Sequence, residues 1–183
     1  IVLLLVQTGL IATRRAHIHR RLGIAGLLLA AGLVVLGIGI AIYSARLDHT
    51  PPGWTNAAAF LPVPLMSIVL FLGFVTAGYI QRRRADFHKR LMLLGTISLT
   101  VPALARILRM ADIPVLPTGV WGALIIVNLF VGAMIVFDFG RLGRLHRATA
   151  WGIVIFLMSW PFRLLLGDTA VWQTFASTLI GGP

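Results

Sequence analysis

The sequence predicts an all-α protein: a polytopic transmembrane helix bundle with five full spans, a truncated first span and a C-terminal interfacial helix. Three observations predict it. Of 183 residues, 58% are hydrophobic and only 11% charged, with a mean hydropathy of +0.95; an ordinary soluble domain is about a quarter charged. The charges are clustered, so that long uncharged runs alternate with short basic groups. Most of those runs reach the roughly 20 residues that a helix needs to cross the hydrocarbon. Together these features exclude a soluble enzyme, a disordered tail and a disulfide scaffold. A β-barrel would alternate polar and apolar residues over strands of about ten residues, and no such pattern occurs.

The spans follow in order. Ile1 to Thr13 (1–13) opens inside an apolar run and is expected to be the tail of a helix that starts outside this chain. Leu22 to Tyr43 (22–43) is a full span. Phe60 to Gln81 (60–81) carries Pro62 and Pro64 in its first turn, where proline costs least. Leu91 to Met110 (91–110) contains Pro102 and Arg106. Gly119 to Phe137 (119–137) follows Thr118, a suitable N-cap. Ala148 to Leu166 (148–166) is broken by Trp160-Pro161. Asp168 is then placed to cap a short amphipathic helix over 169–180, with Val171, Trp172, Phe175 and Leu179 on one side. That helix is too short to span and is expected to lie in the interface. The whole chain, 1–183, reads as one transmembrane domain.

Net charge is +11, from 16 Lys+Arg against 5 acids, all of them Asp. In a soluble protein such a balance would suggest nucleic acid. Here the cations sit at the ends of apolar spans, which points to anionic lipid and to no nucleic-acid partner. Twelve cations fall in the loops 14–21, 82–90 and 138–147, and four (Arg46, Arg106, Arg109 and Arg163) at the other ends. The positive-inside rule therefore makes those three loops cytoplasmic and puts the C-terminus outside. The chain has no cysteine, which removes disulfides and thiol chemistry.

A weak repeat is present. His19-Arg20-Arg21, His88-Lys89-Arg90 and His146-Arg147 each open a helix that runs outward and soon reaches a glycine, which suggests three helical hairpins of similar design. Parallel repeats occur in transporters. The segments His19-Arg-Arg-Leu-Gly23, Phe87-His-Lys-Arg-Leu-Met-Leu-Leu-Gly-Thr-Ile-Ser-Leu99 with Pro102-Ala-Leu-Ala-Arg106, and Pro161-Phe-Arg163 with Trp172 beyond it resemble a family of uncharacterised bacterial multi-pass membrane proteins. The resemblance covers most of the chain and is strongest over 87–106. It implies the topology above, a bacterial plasma (inner) membrane, and attention to Arg106 and Arg163; it implies no reaction.

Three groups of residues could carry chemistry. His19, His88 and His146 begin the second, fourth and sixth helices at similar depth. A membrane haem b needs two neutral imidazoles on different helices at one depth, with cations near its propionates. Against this, the three lie at the edge of the spans beside Arg and Lys, where interfacial anchoring accounts for them. Arg106 and Arg163 lie near the outer boundary. They are expected to snorkel or pair, with Asp48, Asp112 and Asp168 as available partners, or to contact an anion such as a lipid phosphate, a quinone oxygen or a cofactor carboxylate. His88 and Arg106, 18 residues apart, should share a face of the fourth span. Gly26, Ala30, Leu33, Gly37 and Ala41 form a small-residue stripe suited to close helix packing. Asn128, deep in the fifth span on a face with Trp121, Ile125 and Gly132, is expected to bond to a neighbouring helix. Asp138 is expected to pair with the arginines of the following loop.

No nucleophile–base set, phosphate loop or zinc signature occurs, and no metal site is expected. The sequence therefore predicts a non-catalytic integral membrane protein, an accessory or assembly subunit of a larger, bioenergetic complex whose partners are lipids and other membrane subunits. The alternatives are a b-type haem or quinone electron-transfer protein and a small transporter. A transporter needs a polar path, and only Gln7, Thr96, Thr100, Asn128 and Ser159 offer one within the spans.

Overall fold

The computed structural model describes residues 1–111 and 119–181, and among these residues there are only helices and their connecting turns. In chain order the helices are α1 (Val2–Ala12), α2 (Ala16–Arg46), α3 (Ala57–Phe60), α4 (Pro62–Ile80), α5 (Ala85–Ala111), α6 (Val120–Leu142), α7 (Arg147–Gly167) and α8 (Ala170–Ile180). Five helices are long and apolar enough to cross a membrane: α2, α3 with α4, α5, α6 and α7. The chain is accordingly an all-α bundle with the character of a multi-pass integral membrane protein.

The long helices run further into the basic segments than the hydropathy boundaries suggest. α2 begins six residues before Leu22 and α5 six before Leu91. Arg and Lys have straight side chains and good helix propensity, so an interfacial cation need not end a helix. α6 likewise passes Asp138 and stops at Gly143, whose φ of 64° supplies the left-handed C-cap. Asp138 is therefore inside a helix, not in a loop.

The third span has a separate first turn. Asn56 caps α3 by accepting from the Ala59 N–H at 2.7 Å, and Pro62 then opens α4 in a position where its missing N–H costs nothing. At the far end, Thr169 and not Asp168 caps α8, its hydroxyl accepting from the Trp172 N–H at 3.3 Å. Asp168 instead closes α7 as its C-cap. The Thr118 cap and the Asp112 partner expected from the sequence lie outside the described residues.

Four spans make the core. Leu94 and Val101 of α5, Val127 of α6 and Phe156 of α7 lie at its centre, with Val63, Leu70 and Phe74 of α4 packed round them. Lipid supplies no hydrophobic drive for helices to associate, so close van der Waals approach must do it. Glycines mark the tightest places. A Cβ on Gly95 would meet Val75 of α4 at 3.2 Å, and one on Gly167 would come within 2.5 Å of the Ala59 carbonyl oxygen. The repeat departs from three equal hairpins here: α1 lies on α2 and α4 on α5, but α6 lies mainly against α5 and α7 against α4 and α5.

The α1–α2 pair stands at the side of this core, α2 touching α4 and α8. Its small-residue stripe is the inward face in part. A Cβ on Gly26 would meet Leu3 at 3.1 Å and one on Gly37 would meet Ile68 at 3.0 Å, and Ala41 is buried; Leu33, by contrast, is exposed. α8 packs on α3 and α2. Trp172 Nε1 donates to the Ala58 carbonyl at 2.8 Å, and Arg46 Nη2 donates to that of Leu179 at 3.1 Å.

Candidate functional site

At the basic end, α5, α6 and α7 meet round one carboxylate. Asp138 is 1% exposed. Its Oδ1 accepts from Arg90 Nε at 2.9 Å and from Arg90 Nη2, while its Oδ2 accepts from the Thr149 hydroxyl and from the His146 N–H at 3.1 Å. Arg90 Nη1 is used as well, donating to the Asp86 carbonyl at 3.0 Å. Both carboxylate oxygens are thus saturated, which is the condition for burying a charge pair at tolerable cost. The sequence reading singled out Asp138 but gave it the wrong partners. Because α6 continues to Leu142, Arg141 turns outward and Arg144 lies beyond the Gly143 turn; both are exposed. The missed signal was Arg90, the sixth residue of a helix that starts earlier than hydropathy alone suggests.

The three histidines have been given different tasks. His146 caps α7: its Nδ1 accepts from the Ala148 N–H at 3.1 Å. A neutral ring accepting at Nδ1 carries its proton on Nε2, and Nε2 lies 3.5 Å from Asp86 Oδ2. His19 is similar. The hydrogen-bond network sets the Gln7 amide so that it donates to His19 Nδ1 and accepts from the Gly23 N–H at 3.1 Å. His88 is the exception. Its Nδ1–H donates to the Gly78 carbonyl at 2.8 Å, so that in a neutral ring the lone pair lies on Nε2, which has no hydrogen-bond partner among the described residues. The His19 and His88 rings lie 6.3 Å apart and nearly perpendicular, whereas His146 packs instead on Phe87 at 4.7 Å.

Towards the other end, Arg163 is wholly buried at 0% exposure. Nη1 donates to Ser67 Oγ at 3.1 Å and to the Val63 carbonyl at 3.4 Å; Nη2 donates to Ser159 Oγ at 3.1 Å. Its guanidinium carbon lies 4.4 Å from the centre of the Trp160 ring. The expectation of an Asp168 partner is overturned. Five residues on an α-helix turn about 140° away from the starting face, so Asp168 is exposed while Arg163 points inward. Among the described residues its acceptors are all neutral and join α7 to α4. Arg163 Nε and Trp160 Nε1 are buried with no hydrogen-bond partner among the described residues. Arg106 is exposed, unlike the half-buried His88 on the same helix.

Four of the five polar residues that offer a path within the spans turn to their own backbones, while Gln7 bonds across to His19 and Gly23 of α2. Thr96, Thr100 and Ser159 donate to the carbonyls of Met92, Thr96 and Phe156. Asn128, expected to bridge to a neighbour, donates to its own Leu124 carbonyl at 2.9 Å and is exposed with Trp121 and Ile125. The buried face of α6 is the other one, Val120, Ala123, Val127, Val131 and Met134.

Comparison with protein-family models, with curated proteins and with solved structures finds no match to this chain. The class that the fold defines is an α-helical bundle with the five apolar helices of a multi-pass membrane protein among its described residues.

Proposed function

We propose that this protein is a non-catalytic subunit of a larger assembly in the bacterial plasma membrane, with its basic end in the cytoplasm. The observation that carries the proposal is the uncovered face of α2. Only 6% of the most apolar stretch of α2 is buried, against 61% for α3 with α4. That outer face is not uniformly bulky. Ala25, Gly32 and Gly39 recur every seven residues along it, and a Cβ at either glycine would meet nothing within 4 Å. Small residues in a row let a second helix approach closely. The two buried polar sites support a scaffold role, because each one ties spans together. The orientation rests on the imbalance of twelve cations against four.

The test is a Gly32→Leu/Gly39→Leu variant extracted in mild detergent. The open space at both positions leaves the helix bundle undisturbed, so its thermal unfolding should match the wild type. Recovery of the partner should fall at least about tenfold, equivalent to about 1.4 kcal/mol. Unchanged recovery would contradict the proposal.

Haem b binding is a second reading, favoured by one observation: the 6.3 Å spacing of His19 and His88 with Nε2 of His88 free. The Nδ1–H···O=C bond of His88 is the type that orients metal-ligating imidazoles. His19 would have to exchange its tautomer to ligate through Nε2, and His146 would have to give up its cap. An absorption spectrum of protein made with ample haem decides it. A Soret band lost in His88→Ala supports haem; a colourless protein excludes it.

A further inference from the structure

We infer that a cleft at the basic end, between the start of α5 and the end of α6, is a phosphate site, for the phosphodiester of an anionic phospholipid or for free phosphate. The cleft has a volume of about 410 Å³. Its cations are Lys89, Arg90 and Arg141, and its one acid is Asp86. Arg90 is already neutralised by Asp138 at the floor, and Asp86 faces the ring of His146. Lys89 and Arg141 are exposed and form no ion pair among the described residues. Two cations therefore face one opening against the single carboxylate of Asp86, which leaves the cleft with an excess of positive charge. Lys89 Nζ is held 5.8 Å from the centre of the Phe137 ring, which orders a side chain that would otherwise sweep freely.

The apolar wall favours the lipid as the source. Phe137 and Leu142 line the same cleft and are about half exposed. A headgroup phosphate on Lys89 and Arg141 would lay its glycerol and first acyl carbons on these two side chains. Free phosphate has nothing to place there. Basic pockets between spans on the cytoplasmic side are the recognised setting for such headgroups. The site lies on α5 and α6, away from the open face of α2, so it stands or falls independently of any partner subunit.

The experiment measures retention of dioleoyl-phosphatidylglycerol against dioleoyl-phosphatidylcholine by intact protein in detergent, using native mass spectrometry. A parallel arm adds inorganic phosphate as a competitor. Wild type should retain phosphatidylglycerol selectively. Lys89→Gln/Arg141→Gln should lower its affinity about thirtyfold, each interfacial cation being a factor of about five. Arg83→Gln/Arg84→Gln removes the same charge from side chains that do not line the cleft and should change affinity less than about threefold, because an exposed cation without direct contact to the phosphate acts only through screened solvent. Both pairs replace exposed side chains, so helicity should be unchanged. Competition by inorganic phosphate that depends on Lys89 and Arg141 would keep the phosphate chemistry and assign it to the free ion. Equal losses in the two double variants, or no preference for phosphatidylglycerol in wild type, would overturn the site.

Discussion

Asp138→Ala should destabilise the protein by about 3–5 kcal/mol, the cost of leaving one member of a buried ion pair uncompensated. Arg90, 5% exposed, would keep its charge without its carboxylate, and the Thr149 hydroxyl and His146 N–H would lose their acceptor together. Three helices depend on that one side chain, so the loss should appear as a lower unfolding temperature in detergent and as earlier proteolysis near the basic end. The compensating variant carries the physical argument. Arg90→Met/Asp138→Leu removes both charges and fills similar volume, and buried pairs replaced in this way are often neutral or stabilising. It should recover most of the lost stability. A double variant no better than Asp138→Ala would show that the pair contributes something other than mutual neutralisation.

Arg163 should behave in the opposite sense to a salt-bridge residue. Arg163→Ala leaves a cavity at a position with 0% exposure and should cost about 2–5 kcal/mol, the range for truncating a large buried side chain. Arg163→Met fills most of that space and removes a cation whose acceptors among the described residues are all neutral. Ser67 still donates to the Val63 carbonyl at 2.9 Å and Ser159 to that of Phe156 at 2.6 Å, so neither hydroxyl is orphaned by the change. The methionine variant should lie within about 1 kcal/mol of wild type, or above it. Arg163→Lys should be worse than methionine, because a point charge cannot reproduce a fork that reaches both α4 and α7. Chemical unfolding of the three variants checks the order. If methionine proves as damaging as alanine, the guanidinium has a stabilising partner beyond the contacts described above.

The fold was legible because its signal is dense. Twenty-residue uncharged runs closed by arginines leave few alternatives, and five of the spans appear where hydropathy puts them. What hydropathy misplaced were the ends. It treats a cluster of cations as a stop, whereas α2 and α5 continue helically through Arg20, Arg21, Lys89 and Arg90. That error also hid the main polar contact. With Asp138 taken as a loop residue, its neighbours in sequence were the natural partners; once it lies in α6, it faces Arg90, 48 residues earlier. Polar residues inside the spans were legible as present but not as aimed. Asn128 and Arg163 are both polar groups deep in apolar runs, yet one turns to its own backbone and the other crosses to α4. Which face of a span looks inward is decided by packing, and the weak amphipathicity of helices that are apolar all round carries little information about it. The histidines show the same limit: their places near the starts of α2, α5 and α7 were readable, and their tautomers depend on Gln7, Gly78 and Ala148.

The central claim, that this bundle is a subunit and not a free-standing protein, is tested most directly by mass. The wild-type chain should be extracted from its own membrane in mild detergent and the intact particle weighed. A particle heavier than the 19.9 kDa chain by a defined protein partner, and reduced to the chain alone by Gly32→Leu/Gly39→Leu, is the expected result. A monodisperse particle containing one copy of this chain and no other protein would contradict it.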